Sequence, residues 1–253
     1  MTLTAEQRAA VACDNDLLLT ACPGSGKTRT IAARLAREID RLRGSPQAAA
    51  CITYTNAAVQ EVEQRIAAQL LDGDERHYII CTIHSFCLTQ VLRPFAWLVP
   101  GFAGTMRVLT QDRPEFEAIA RNTAEQVNFF NLVARDFEAF ASLSLDANGR
   151  LIGLALTNEA VRRATPHFWR RCTELGFIDF GNIIYKAYCL IRDNRMVAQS
   201  VASRFSCFLV DEFQDTTELQ IEILKLIHAQ GRSRIFAVGD PAQSIFGFTG
   251  GPP

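Results

Sequence analysis

Hydrophobic and polar positions alternate along this chain in two rhythms. Short, mostly apolar runs at 16–20, 50–54, 79–82, 107–109, 207–210 and 235–238 predict strands. Between several of them, apolar residues recur three and four positions apart, the spacing of one helix face. Ile31, Leu35, Ile39 and Leu42 mark the helix after the first run, and Val59, Val62, Ile66 and Leu70 the helix after the second. Leu219, Ile223, Leu226 and Ile227 mark a helix over 217–229. A short helix is expected over 4–12, with Thr4 as N-cap and Gln7 on its exposed side. Another helical stretch runs to about Leu92. Arg34, Arg37, Arg41 and Arg43 lie opposite the first apolar stripe and read as a solvated face.

From about Asp112 the rhythm changes. Residues 115–140 and 159–175 read as long, arginine-bearing helices, interrupted only by the short Leu151-Ile152. Gly176-Phe177-Ile178-Asp179-Phe180 reads as the return point, with Ile183, Ile184 and Ala187 on the following helix. The expected organisation is an α/β core over 1–112, a helical insertion over 113–175 and a second core segment over 176–253. The basic run Arg162, Arg163, His167, Arg170 and Arg171 fits a solvated helix face better than a phosphate-binding one. Strands joined through helices imply a parallel sheet, and such sheets bind ligands outside the carboxyl ends of their strands. The polar clusters at 21–28, 53–56, 82–86, 211–215 and 239–243 should therefore converge on one edge.

Composition narrows the class. With 48% hydrophobic and 21% charged residues the chain is an ordinary globular one. Lys and Arg total 26 against 27 acids, so any nucleic-acid contact must come from local patches. The eight cysteines form no CxxC pair, which favours free thiols in a reducing compartment over an iron–sulfur cluster. The N-terminus lacks the pattern of a signal peptide and no apolar run is long enough to span a membrane. A soluble cytoplasmic protein without a membrane partner is expected.

The strongest chemical signal is Ala21-Cys22-Pro23-Gly24-Ser25-Gly26-Lys27-Thr28 between the first strand and its helix. Small residues let backbone N–H groups crowd around a triphosphate, Lys27 can reach the β/γ oxygens, and Thr28 can hold Mg²⁺. Asp211-Glu212 closes an apolar strand downstream, where the Asp can hold Mg²⁺ through water and the Glu can deprotonate a water attacking the γ-phosphate. Gln214 and Gln243 are neutral groups suited to bridging γ-phosphate and catalytic water. Tyr54, Phe86, Phe246 and Phe248 sit beside polar clusters and could stack on nucleic-acid bases; core packing is the competing role.

In this order the motifs resemble the first half of a superfamily 1A DNA helicase of the UvrD, Rep and PcrA type. Leu3-Thr4-Ala5-Glu6-Gln7 is similar to the family's Q motif, which implies that Gln7 reads adenine. Residues 21–28 resemble its phosphate loop, including Ala at the first position, and Arg29 follows as it often does in the family. Thr53-Tyr54-Thr55-Asn56-Ala57-Ala58, with Glu61 and Arg65, resembles motif Ia, although Ala57 replaces the usual Lys. Thr82-Ile83-His84-Ser85-Phe86 resembles motif Ib. The resemblance implies DNA contacts by Tyr54, Thr55, Asn56, His84, Ser85 and Phe86. Asp211-Glu212-Phe213-Gln214-Asp215-Thr216 resembles motif II, and 239–248 motif III, with Gln243 at the γ-phosphate and Phe246 and Phe248 on DNA. Thr249-Gly250-Gly251 stands where the family usually has Arg-Gly-Ala.

The resemblance implies a RecA-like P-loop core using ATP and Mg²⁺ for 3′–5′ translocation on single-stranded DNA and unwinding at single-strand/duplex junctions. Catalytic roles fall to Lys27, Glu212 and Gln243; the nucleotide contacts to Gln7, Ala21, Pro23, Gly24, Ser25, Gly26, Lys27, Thr28, Arg29 and Gln214; the metal to Thr28 and Asp211. In the family a second core carries motifs IV to VI, and the sequence ends at Pro253, directly after motif III. The expectation is the first core and inserted subdomain of a longer helicase, binding nucleotide weakly, turning it over poorly and unwinding nothing alone. The alternative is a non-catalytic nucleic-acid-binding or regulatory P-loop module acting with a partner. The compact insertion and Arg93-Pro94-Phe95 are also similar to the helicase subunit of Gabija-type phage-defence systems, which implies a nuclease partner; DNA repair or replication is the other pathway left open.

Overall fold

The structure is a computed structural model of the chain and describes residues 3–22, 24–102 and 105–240. These form two compact units, one from the described residues of 1–86 and 195–253, the other from Cys87–Asn194.

The first unit opens with helix α1 (Ala5–Ala12), strand β1 (Leu17–Thr20), α2 (Lys27–Leu42), β2 (Ala48–Thr53), α3 (Asn56–Ile66), β3 (Tyr78–Thr82) and the short α4 (Ile83–Phe86). The second unit carries β4 (Arg107–Leu109), α5 (Pro114–Glu125), α6 (Ala134–Ala141), β5 (Ser144–Leu145), β6 (Leu151–Ile152), α7 (Glu159–Glu174), β7 (Phe177–Asp179) and α8 (Ile183–Asp193). The chain then returns to the first unit through α9 (Arg195–Arg204), β8 (Phe205–Val210), α10 (Glu218–His228) and β9 (Arg234–Gly239).

The first unit is built on a five-stranded parallel sheet in the order β1-β9-β8-β2-β3. Its central strand residues are buried on both faces, as the nearly continuous apolar runs of β2 and β8 require. Ala49, Cys51, Cys207, Leu209, Phe236 and Val238 share a core with Ile31, Leu35 and Ile39 of α2 and Val62 and Ile66 of α3. Residues of opposite parity, among them Ile52 and Val210, lie beside Ile83 of α4 and Leu224 of α10. The expected parallel α/β core is what forms.

In the second unit α5, α6 and α7 bury Phe116, Phe140, Phe168 and their neighbours in a core of their own. The Phe140 and Phe168 rings lie 5.1 Å apart. The single helix expected over 115–140 is two. Asn128, with φ of 61°, takes the left-handed conformation beyond the C-terminus of α5, and Phe129 N–H turns back to the Ala124 carbonyl. Asn tolerates that conformation, and such a residue ends a helix.

The division between units falls outside the expected 112/113 and 175/176 boundaries. Strand β4 pairs in parallel with β7, Arg107 opposite Phe177 through Leu109 opposite Asp179, and neither joins the main sheet. Helix α8 packs on the π-helical turn Cys87–Leu92. These pairings gather both flanks of the helical stretch into one body, and short-range periodicity has no means of showing them.

The arginine face of α2 also differs from expectation. Arg34 is fully buried, within a network of opposite charges and carbonyls. Its guanidinium meets Glu38, itself 1% exposed, at 2.7 Å and donates to the carbonyls of Val11 and Cys13. Arg234 of β9 reaches the other Glu38 oxygen at 2.8 Å. Arg37 and Arg41 pair with Asp14, while Arg43 holds Asp74 by two bonds of 2.9 and 2.8 Å. Only an element packed over α2 turns a polar stripe into an interior one, and here that element is the end of α1 with the loop behind it.

Candidate nucleotide and nucleic-acid site

All five strands of the sheet run the same way, so their carboxyl ends lie along one edge. Register fixes the neighbours: Thr20 stands opposite Gly239, Ala237 opposite Val210, Ile52 opposite Val210 on the other side, and Thr53 opposite Thr82. Along the edge the order is therefore the phosphate loop, Asp240, Asp211 to Asp215, Thr53 to Asn56, then Thr82 to Phe86. The polar clusters do share one edge. Pro23, Gln243, Phe246 and Phe248 lie outside the described residues.

The phosphate loop is shaped for an anion. Gly26 is the N-cap of α2 with φ of 88°, a conformation that glycine alone adopts without strain, and no side chain caps the helix. The first-turn N–H groups of α2 are thus left without intrahelical partners at the positive end of the helix dipole. A Cβ on Gly26 would stand 2.9 Å from the Gln7 amide nitrogen, so the glycine also makes room for the Q-motif side chain. Ala21 N–H donates to the Gly239 carbonyl at 3.0 Å and ties the loop to β9. Gly24, Gly26, Lys27, Thr28, Arg29, Arg65 and Glu212 line one open cavity.

Gln7 has two duties in this state. Its Oε1 accepts from the Thr4 N–H at 2.9 Å and closes a capping box, while its Nε2 donates to the Ser25 carbonyl at 2.8 Å. It holds α1 against the phosphate loop, and among the described residues its second amide hydrogen has no partner, which leaves it for a ligand.

At the end of β8, Asp211 is 6% exposed. Burial, with the Glu212 charge beside it, pushes its carboxyl up to about 6. Its Oδ1 accepts the Glu212 N–H at 3.0 Å. A buried carboxylate next to a second acid has the chemistry of a cation ligand, and with Thr28 and phosphate oxygens it suits Mg²⁺, which takes few protein ligands. Glu212 sits at φ 48°, rare for a residue with a β-carbon, and such strain concentrates at functional sites. Its Oε2 receives Lys27 Nζ at 2.7 Å and Gln214 Nε2 at 2.7 Å. Burial works to raise its pKa, but the bonds from Gln214 and Lys27 outweigh it and leave the carboxyl below its ordinary value.

Gln214 does not sit as a nucleotide ligand. It is 7% exposed. Its amide hydrogens go to Glu212 and, at 3.5 Å, to Asp215, while its oxygen accepts the Asp240 N–H at 2.8 Å. No hydrogen is left for a phosphate. The sequence signal for a bridging glutamine is the same whether the bridge ends on a ligand or on the next strand.

At the far end of the edge the candidates divide. Tyr54 is 56% exposed and free to stack on a base. Thr55 and Asn56 are exposed too, with the Thr55 hydroxyl accepting the Ala58 N–H as N-cap of α3. His84 and Ser85 are half-buried; burial lowers the His84 pKa and favours the neutral ring. Phe86 corrects the expectation. It has no exposed surface, and its ring lies 5.5 Å from that of Phe205 and 5.6 Å from that of Phe208. It is a core residue beneath motif Ib and not a base-stacking one.

Arg65, which the sequence marks only as part of the stretch resembling motif Ia, lines the phosphate-loop cavity while paired with Glu61 at 2.8 Å. Its place opposite the loop depends on α3 crossing the sheet edge, which spacing does not show. The basic face of α7 is a solvated one: Arg162 pairs with Glu159, and Arg170 and Arg171 with Glu174.

Residues 3–253 match the family described as the UvrD/REP helicase N-terminal domain. Among curated proteins, a probable DNA helicase II homolog of Mycoplasma pneumoniae is 28% identical over 262 residues, covering 98% of this chain and 36% of that protein. The ATP-dependent DNA helicase UvrD1 of Mycobacterium tuberculosis is 26% identical over 264 residues, and the ATP-dependent DNA helicase PcrA of Staphylococcus aureus 27% over 255. Each of these two alignments covers 98% of the chain and 34% of the relative. The chain thus spans about a third of the length of the relatives it matches. Among the described residues no helix is long and apolar enough to cross a membrane.

Proposed function

Because this chain belongs to the UvrD/REP helicase N-terminal domain family, we propose that it is the first motor core of an ATP-dependent DNA helicase moving 3′ to 5′ along single-stranded DNA. One observation carries the ATP assignment: Lys27 of the phosphate loop and Glu212 at the end of β8 meet at 2.7 Å beside an uncapped helix N-terminus.

The uncapped first turn of α2 and Lys27 bind the triphosphate; Thr28 and Asp211 would hold Mg²⁺. The metal, when bound, neutralises charge on the β- and γ-phosphates. Lys27 leaves Glu212 for the phosphate, which frees a Glu212 oxygen to orient a water and take its proton as the water attacks the γ-phosphorus and the bond to the β-phosphate oxygen breaks, releasing ADP and phosphate. Gln7 presents its remaining amide hydrogen to the base. Tyr54, Thr55 and Asn56, three strand ends away from the phosphate loop, take the DNA strand, with His84 and Ser85 next to them. A second core contributes the cations that complete the site, a contribution worth several orders of magnitude in rate, so the 253-residue chain alone turns ATP over slowly and unwinds nothing.

Titration of a fluorescent ATP analogue with Mg²⁺ tests the reading. The unaltered chain should bind it, and Lys27→Ala should weaken binding at least tenfold. Equal affinity in the variant removes the phosphate loop from the site. Robust DNA-stimulated hydrolysis by the 253-residue chain alone would refute the need for a second core.

A further inference from the structure

Asp240 leaves the sheet at the end of β9, one strand away from Asp211, and a chain of hydrogen bonds connects it to the phosphate loop. Lys27 Nζ donates to Glu212 Oε2 at 2.7 Å, Gln214 Nε2 donates to the same oxygen at 2.7 Å, and the Asp240 N–H donates to Gln214 Oε1 at 2.8 Å. The link is built in. Gln214 is buried, and its second amide hydrogen is turned to Asp215. Gly239 has no Cβ where one would stand 2.9 Å from Gln214 Oε1 and 3.2 Å from the Gln214 nitrogen. Any other residue at 239 would push the carboxamide off the strand end. The Asp240 N–H is thus linked through Gln214 to the same carboxylate that holds the lysine.

We infer that Gln214 is a positioning residue that transmits the state of the Lys27–Glu212 pair to the backbone at Asp240. The inference rests on the ATP reading above and adds a direction to it. A phosphate competes for Lys27 because its charge exceeds that of one carboxylate. With the lysine gone, Glu212 is held by Gln214 alone, and reorientation of the carboxylate toward water pulls Nε2 with it. The carboxamide is rigid, so Oε1 moves as Nε2 moves, and the bond to Asp240 loosens. Binding at the phosphate loop is in this way felt at the neighbouring strand end of β9 by way of β8, with no contact between Gln214 and nucleotide.

Amide exchange at Asp240 reads this directly, and position 241 is a proline with no amide to confuse the measurement. The full chain is compared with Gln214→Leu and Gln214→Glu, each with and without a slowly hydrolysed ATP analogue and Mg²⁺. In the unaltered protein the analogue should speed exchange at Asp240 at least threefold. Gln214→Leu should speed it about tenfold without nucleotide, the loss of one hydrogen bond, abolish the further response, and leave nucleotide affinity within about threefold. Gln214→Glu keeps an oxygen for Asp240 and should keep its protection while losing the nucleotide response. Protection at Ala237 and Val238 reports that β9 is intact in each variant. Exchange at Asp240 that is unchanged or slowed by bound nucleotide overturns the relay alone. A tenfold loss of affinity in Gln214→Leu also overturns it, by making Gln214 a ligand. Absence of any nucleotide binding by the unaltered protein overturns the functional reading, and the relay with it.

Discussion

Helix α2 carries two pairs of opposite charge that sit two turns apart and behave as opposites. In its middle, Arg34 and Glu38 are each about 1% exposed, and Glu38 holds a second arginine through its other oxygen. At its first residue, Lys27 meets Glu212 across the strand ends with 10% and 36% of the side chains exposed. The buried pair has nowhere to go: removing either partner strands a charge in the core. The edge pair is poised. Its lysine has one side-chain partner among the described residues, its glutamate is strained, and a more strongly charged anion can take the lysine away. Similar distances thus conceal different chemistry, and what separates the two is whether water and ligands can compete for the partner.

The sharpest way to part the pairs is to neutralise one glutamate. Glu212→Gln in a helicase that includes the second core should lower ATP turnover by about a thousandfold or more, in the upper range for a lost general base. Nucleotide affinity should be unchanged or tighter, because Lys27 no longer has to leave a carboxylate, and the unfolding midpoint should barely move. Retained turnover removes Glu212 from its role.

Arg34→Met should do the reverse. Leaving Glu38 buried with only Arg234 close by and Arg41 at 3.9 Å should cost about 3–5 kcal/mol of stability, read as a lower urea midpoint. Nucleotide affinity per folded molecule should stay close to that of the parent at temperatures where the variant is folded. A stability loss under about 1 kcal/mol would place Arg34 among ordinary surface arginines.

A gentler contrast lies at the far end of the sheet edge. Tyr54→Ala should weaken binding to single-stranded DNA by about 1–3 kcal/mol, the range for one stacked base, with stability unchanged. Phe86→Leu should instead lower stability and leave DNA affinity per folded molecule intact. A matched pair of DNA titrations decides between exposed and buried aromatics.

Asp179 supplies the smallest test, from the second unit. Burial pushes this carboxyl up to about 7, opposed by backbone bonds and by Lys186. The folded state therefore holds a proton that the unfolded chain, with an ordinary value near 3.8, has released. Its contribution to stability is full below that value and is lost as pH rises through about 7. The urea midpoint should fall between pH 5 and pH 8, and Asp179→Asn should flatten part of that slope. An equal slope in the variant assigns the pH dependence to other groups.

The sequence alone determined the alternation of strands and helices, the parallel sheet, the convergence of polar clusters on one edge and the presence of Lys27, Asp211 and Glu212 on that edge. These follow from periodicity and from residue chemistry at strand ends, which are properties of neighbours along the chain. Tertiary structure decided the rest. It buried Phe86 while leaving Tyr54 exposed, although both follow strands and stand beside polar residues. It drew Arg34 inside, because the end of α1 folds over a face that periodicity marks as outward. It turned both hydrogen-bonding ends of Gln214 to protein, because β9 lies beside β8 in space and 24 residues away in the chain, from Val210 to Arg234. It also brought β4 against β7 and widened the inserted unit beyond its helices. Burial and partnership belong to pairs of distant segments, and a one-dimensional pattern records only which side chains have need of them.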